Sequence, residues 1–325
     1  MTAAVLPTLS VVVVVDSQRE RGGWALAAVL AQNFSGRLEV LLFDFGHADH
    51  PPLAGSDHRD VRVIPARRGA GYGETMAAAV SAARAPVIAF VEEHVIVLEG
   101  WADAIQRAHE GPWAAVCAEV HPGDTADAVS RRIELVSRNV WSAPARRGDT
   151  PVLRWRNVSY KRDVLLGYQP HLRWLLESED ALFRRLRADG HRLAVEPDAR
   201  IVHAHESSWS NFLAGSVQSS RLATASALEV GGRRPASVLR AVVAALAGPV
   251  RWPLILLRRT RDLPDRDVWL PVLYASWPYV LQYYVRVAVA GLVGALAGAG
   301  DSSARFLDAE INHPRRRPVT APSIR

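Results

Sequence analysis

Val87–His94 reads VIAFVEEH. The stretch starts apolar and uncharged, then ends abruptly on two carboxylates and an imidazole. A continuous apolar run of this length predicts a parallel strand buried on both faces of an α/β sheet. In open sheets of that kind, ligands gather outside the carboxyl ends of the strands. Glu92, Glu93 and His94 at such a tip would offer a divalent cation, Mg²⁺ or Mn²⁺, hard oxygen ligands and one nitrogen. An ordinary strand followed by a polar turn reads the same way, so the surrounding residues must decide.

Toward the N-terminus, Leu9–Val15 (LSVVVVV) predicts another buried strand, with Asp16 and Ser17 at its tip. Trp24–Ala31 has helical spacing. Leu38–Phe43 predicts a strand ending at Asp44, and Val61–Ile64 a shorter one. Thr75–Ala83 predicts an alanine-rich helix leading back to the central stretch. The order β-α-β-β-α-β implies a mostly parallel sheet covered on both faces by helices. Gly69, Gly71 and Gly73 follow the third strand with G-x-G-x-G spacing, which departs from the dinucleotide fingerprint in both spacing and place.

Toward the C-terminus, Trp101–His109 predicts a helix, Trp113–Val120 a strand and Thr125–Trp141 a helix. Leu175–Ala188 predicts one amphipathic helix with Leu175, Leu182, Phe183 and Leu186 on its apolar side. Glu177, Glu179 and Asp180 sit in its first turns, where carboxylates suit the helix dipole. Arg192–Val195 and Arg200–Val202 predict short strands around Pro197, leading to His203.

The chain has 325 residues and is 49% hydrophobic, which excludes a disordered polymer. Cys117 is its only cysteine, so neither a disulfide framework nor a cysteine zinc site is available. Val11–Val15 is too short for a signal-peptide core, and no secretory signal is expected. The net charge of +6 is unevenly spread: residues 231–325 carry 14 of the 39 basic side chains but only 6 of the 33 acidic ones. The same third holds the longest apolar runs, Ser237–Leu257 and Val268–Gly300. A basic, apolar end after a near-neutral domain predicts an anionic membrane surface as partner, and no nucleic acid. Arginines flank both runs, which argues against threading each run once across a bilayer and for an interfacial or re-entrant anchor.

Five segments, in order, resemble family 2 glycosyltransferases of the GT-A fold over about 220 residues. Leu9–Gln32 is similar to that family's opening strand and helix. Asp44-Phe45-Gly46 resembles its Asp-Asp-Gly segment, and Phe90–Trp101 (FVEEHVIVLEGW) resembles its Asp-Asp-Asp segment with the Pro-Gly-Trp that follows. Glu179-Asp180 with Leu182 resembles its Glu-Asp-x-x-Leu helix, and Pro197–His203 its Pro-x-Ala-x-x-x-His element.

The resemblance implies an inverting, metal-dependent transfer of a sugar from a nucleoside-diphosphate donor to a hydroxyl acceptor; a membrane-held active site would meet a lipid-linked or cell-envelope glycan as that acceptor. It implies that Asp16 and Ser17 line the nucleotide, that Asp44 meets the base, and that Glu92 and Glu93 hold the ribose and metal–diphosphate. Glu93, His94 and His203 are the implied metal ligands. Asp180, with Glu179 beside it, is the implied general base. The chemistry requires these types: a cation offsets the charge of the leaving diphosphate, and a carboxylate takes the acceptor's proton.

This chain departs from the family by Glu-Glu-His where aspartates are usual, and by Thr75-Met76-Ala77 where Ala-Arg-Asn is usual. A catalytically silent, membrane-anchored binding relative is therefore the alternative. The organisation expected is a GT-A-like catalytic domain at 1–230, a membrane-associating helical region at 231–311 and a disordered basic tail at 312–325, the whole at the cytoplasmic face of the cell membrane.

Overall fold

The computed structural model describes residues 6–123, 127–141, 147–150, 156–204, 208–263 and 265–313. The first half runs β1 (Leu9–Val15), α1 (Arg19–Leu30), β2 (Leu38–Asp44), β3 (Val61–Pro65), α2 (Tyr72–Ala82), β4 (Val87–Phe90), β5 (Val95–Val97), α3 (Trp101–His109) and β6 (Trp113–Pro122). Next come α4 (Ala128–Trp141), β7 (Gly148–Asp149), β8 (Val158–Lys161), α5 (Arg162–Leu166), α6 (Leu172–Glu177), α7 (Glu179–Ala188) and β9 (Arg192–His203). Five helices close the chain: α8 (Trp209–Gly231), α9 (Pro235–Arg261), α10 (Arg266–Ala275), α11 (Trp277–Ala297) and α12 (Ser302–Asn312).

The strands form one sheet in the order β3-β2-β1-β4-β8-β6-β9-β5, with β7 on β9. The four strands β3, β2, β1 and β4 pair in parallel, as do β6 and β9, while β5, β7 and β8 run antiparallel to their neighbours. The fold is thus the expected α/β, GT-A-like sheet flanked by helices, followed by apolar helices. The alternation of β1 explains the layering. Val12 and Val14 face a core shared with α2, α6 and α7, while Val11, Val13 and Val15 face a second core shared with α1 and α3. Apart from Ser10 and Glu39, which hydrogen-bond each other at the start of β1 and β2, these two strands are apolar up to their carboxyl tips, where Asp16 and Asp44 stand.

Several boundaries differ from the sequence-based expectation. The helix expected over Leu175–Ala188 is two helices, because Ser178 is extended (φ −134°, ψ 92°) and separates α6 from α7. That break makes Glu179-Asp180 the first two residues of a helix instead of positions in the second turn of a longer one. The two short strands expected around Pro197 are one strand, β9, whose pairing with β6 shifts register between Ala118 and Glu119 and so absorbs the proline. The second apolar run is broken at Ser276 into α10 and α11. Helix α12 extends through Asn312, and residues 314–325, where the basic tail was expected, lie outside the described residues.

The glycines at 71 and 73 serve packing. A methyl group on Gly73 would run into the Arg173 carbonyl oxygen, and one on Gly71 into the Ser303 hydroxyl. Glycine there lets the N-terminus of α2 lie directly on α6 and α12, which accounts for the spacing without a dinucleotide.

Candidate active site

β4 ends at Phe90, and the chain then turns through Glu92, Glu93 and His94 before joining the far end of the sheet as β5. The pairing of β5 with β9 sets Val95 opposite His203, and the Ala204 amide donates to the His94 carbonyl at 3.1 Å. Two histidines 109 positions apart are thereby brought together: Nε2 of His94 lies 3.1 Å from Nε2 of His203. The Glu92 Oε2 atom stands 3.7 Å from the first and 3.6 Å from the second. Glu92, His94 and His203 offer three ligand atoms that all lie within 4.8 Å of one another.

Glu93 points the other way. Its Oε1 lies 3.2 Å from Nδ1 of His94 and 2.8 Å from the Arg21 guanidinium, with both charged groups almost fully buried. A carboxylate only accepts, so Nδ1 of His94 donates to Glu93, while its Nε2 faces Glu92 and His203. Adjacent glutamates therefore have different places. Glu92 converges with the histidines, whereas Glu93 orients His94 from behind and lies outside the three-atom cluster. Arg21 in turn is held by the backbone carbonyls of Glu310 and His313.

Glu92 is fixed by two residues that no sequence motif singles out. The Asn157 amide nitrogen donates to Glu92 Oε2 at 2.7 Å, and its amide oxygen accepts from the Glu92 backbone N–H at 3.0 Å. Arg156 lies 3.4 Å from Glu92 Oε1, is paired with Glu310 at 3.1 Å, and stacks on Phe306 with its guanidinium 4.1 Å from the ring centre. Both residues adopt positive φ, 53° and 54°, a strained conformation that clusters at functional sites. A polar pair just ahead of a strand was the available sequence signal.

A cavity of about 530 Å³ opens on this cluster. Glu92, His203, Arg156 and Asp180 all line it, the last from the N-terminus of α7. Two distant expectations, a metal-binding strand tip and a helix-borne carboxylate, thus share one cavity. The side chain of Glu179 lies outside the described residues. Asp16, Ser17 and Asp44 sit at the carboxyl ends of β1 and β2 and are not part of that wall. Asp44 is buried and held by Arg19 through two bonds of 2.6 and 3.0 Å, with a third from the Gly46 amide. Asp16 accepts from the Asn312 side chain at 3.0 Å, and Ser17 donates to it at 2.6 Å.

Helix α12 therefore closes over the carboxyl edge of the sheet. It reaches Asp16 and Ser17 through Asn312, Arg156 through Glu310, and Glu177 through a hydrogen bond donated by Ser303. Burial pushes the Glu177 carboxyl up to about 7, against the lowering effect of that bond.

The donor set fits a divalent cation. Two imidazoles and a carboxylate converge, and one imidazole carries the carboxylate partner on its far nitrogen that metal-ligating histidines generally have.

No protein-family model and no curated protein matches the sequence. Solved structures do. The chain is similar to a mannosyltransferase from Pyrobaculum calidifontis in complex with GDP-Man and Mn²⁺, at 16% identity and a TM-score of 0.53, with 90% of this chain and 88% of that one covered. Two structures of S. aureus TarS residues 1–349 also match: the first at 14% identity and TM-score 0.47, and the second, in complex with UDP, at 16% and 0.49. Each covers 87% of this chain and 90% of the other. At 16% identity the likeness to the mannosyltransferase structure establishes the fold alone.

Proposed function

We propose that the chain is an inverting, metal-dependent glycosyltransferase of the family 2 type. It would move a hexosyl group from a nucleoside-diphosphate sugar to a hydroxyl of a lipid-linked or cell-envelope glycan. The observation that carries this reading is the single cavity lined by Glu92, His203 and Asp180, with His94 locked behind it by Glu93. Glu92, His94 and His203 would hold the cation. Two imidazoles disfavour Mg²⁺ and favour Mn²⁺ among the cations that accept mixed nitrogen and oxygen ligands. When bound, the cation offsets the negative charge that builds on the leaving diphosphate.

The protein's own groups do the rest. Asp180 accepts the proton of the attacking hydroxyl as its oxygen bonds the anomeric carbon and the bond to the diphosphate breaks, which inverts that centre. Arg156 and Asn157 keep Glu92 in register. Asp16, Ser17 and Asp44 line the donor side, with Asp44 toward the base. Their present partners, Asn312 and Arg19, would exchange for nucleotide contacts.

That internal engagement also favours a second reading, a catalytically silent relative whose nucleotide groups are permanently filled. Calorimetry of GDP and UDP with and without Mn²⁺ separates the two: metal-dependent nucleotide binding supports the enzyme, and its absence supports the silent protein. We place the chain at the cytoplasmic face of the membrane, anchored by residues 231–311 without crossing, with 1–230 as the catalytic domain.

A further inference from the structure

Of the fifteen large apolar side chains that are exposed among the described residues, all but Leu6 lie between positions 239 and 296. On α9, Leu239, Val243, Leu246, Val250 and Leu254 recur at intervals of three and four and form one outward stripe. The inward side of α9 is made of small residues: Ser237, Ala241, Ala244, Ala245 and Gly248, with Trp252 at the end. Small residues inside and large apolar ones outside is the reverse of a helix built for water. Arg240, Arg251 and Arg258 fall on a third line along the same helix, bordering the apolar stripe. That is the arrangement of a helix lying in a bilayer interface.

The small inward residues leave a groove of about 780 Å³ between α8, α9 and α11. It is not a separate pocket. Asp180, Ser220, Thr224, Trp252 and Tyr284 line both this groove and the cavity at Glu92 and His203, so the two spaces meet at the proposed base. Arg184, one helical turn from Asp180, and Arg240 on α9 stand at the groove, and among the described residues neither is in an ion pair.

Resting on the glycosyl-transfer reading, we propose that this groove is the acceptor site. Its occupant is a phosphate-linked lipid glycan. The hydrocarbon chain enters between α9 and α11 from the bilayer and lies along Ala241, Ala244 and Gly248. Its phosphate pairs with Arg184 and Arg240, and the first sugar reaches Asp180. Charge decides the headgroup: two guanidiniums on the wall of an apolar slot, neither in an ion pair among the described residues, fit an anionic lipid and not a neutral one. The spacing decides the reaction: a phosphate held by Arg184 sets a hydroxyl of the attached sugar one turn away, at the carboxylate.

The full chain in phosphatidylcholine nanodiscs, treated with a diazirine-bearing farnesyl phosphate, tests this. Labels should map to the inward residues of α9 and α11. Undecaprenyl diphosphate should compete, whereas farnesol and inorganic phosphate should not. Arg240→Glu and Ala244→Phe should each lower labelling by about tenfold. Labels confined to the outward stripe, or equal competition by farnesol, would mean that the helices only rest in lipid and would overturn the proposal. Full competition by inorganic phosphate would reduce the site to an anion site and overturn it equally. Mapping on the unaltered chain keeps the test valid should Ala244→Phe fail to fold. Nucleotide calorimetry on the same nanodiscs reports the donor site independently. A chain that binds lipid but no nucleotide would sink the transferase reading, and one that binds nucleotide but no lipid would sink this one.

Discussion

Helices α7 and α9 line the same groove, yet they are inside out with respect to each other. α7 buries Leu182, Phe183 and Leu186 against the sheet and turns Arg184, Arg185 and Arg187 to solvent. α9 turns Leu239, Val243, Leu246, Val250 and Leu254 outward and Ala241, Ala245 and Gly248 toward the groove; only 11% of its most apolar window is buried, against 33% for α11. Both α9 and α11 are long and apolar enough to cross a membrane. Burying a leucine contributes about 1.5–3 kcal/mol, so α7 is held by the core it covers. α9 leaves that term unsatisfied and acquires it only when something other than water covers its outer face. One wall of the cleft is fixed by the protein, and the other by its surroundings.

The comparison can be broken from either wall. The largest effect is expected at Asp180: Asp180→Asn should lower glycosyl transfer by roughly a hundred- to ten-thousandfold. Nucleotide affinity, measured by calorimetry, should stay within about twofold. Equal loss of both would remove Asp180 from the role of base. Next come the cation ligands. His203→Ala should abolish the Mn²⁺ dependence of nucleotide binding, whereas Glu93→Gln, which disturbs His94 from behind, should weaken Mn²⁺ by about 10–100-fold. If Glu93→Gln proved the more severe, the opposed orientation of the two glutamates would be misread.

On the other wall, Leu246→Glu with Val250→Glu should cut co-sedimentation with anionic vesicles by about tenfold or more without lowering the thermal midpoint of the protein free of lipid. Release of the unaltered protein by high-salt washing would contradict the apolar anchoring.

The smallest effect concerns Glu177 beneath α12. Its folded carboxyl titrates at about 7, above the ordinary 4.5, so the native state holds the extra proton. Stability from this group is present below about 4.5 and is lost as pH rises through 7. Glu177→Gln should remove that loss, on the order of 1–3 kcal/mol between pH 5 and pH 8, in paired denaturant titrations. An identical slope in both proteins would mean that the carboxyl is not held protonated.

Much of the fold was legible because buried parallel strands are uninterrupted apolar runs. β1, β2 and β4 announce themselves, and so do the acids at their tips. Trp101–His109 was readable to the residue because its apolar positions keep one helical face and Gly100 precedes it. β5 was not legible, since three residues between a polar turn and Leu98 carry no periodicity, yet it is the strand that sets His203 beside His94. The break at Ser178 was hidden because serine disrupts a helix far less visibly than proline or glycine. Glu92 and Glu93 look equivalent in the sequence; only the turn before β5 sends one toward His203 and the other toward Arg21. Arg19, Arg21, Arg156, Asn157 and Asn312 act through contacts with residues far away in the chain, which no local pattern encodes. The apolar faces of α9 and α11 were visible as composition, but the groove behind them depends on which side the alanines take.

The most direct test is a crystal of the full chain soaked with Mn²⁺ and a nucleoside diphosphate, read by anomalous scattering at the manganese edge. One ion is expected within coordination distance of Glu92 Oε2 and of Nε2 of both His94 and His203, facing the cavity that Asp180 lines. An ion bound elsewhere, or a nucleotide bound with that cluster empty, would contradict it.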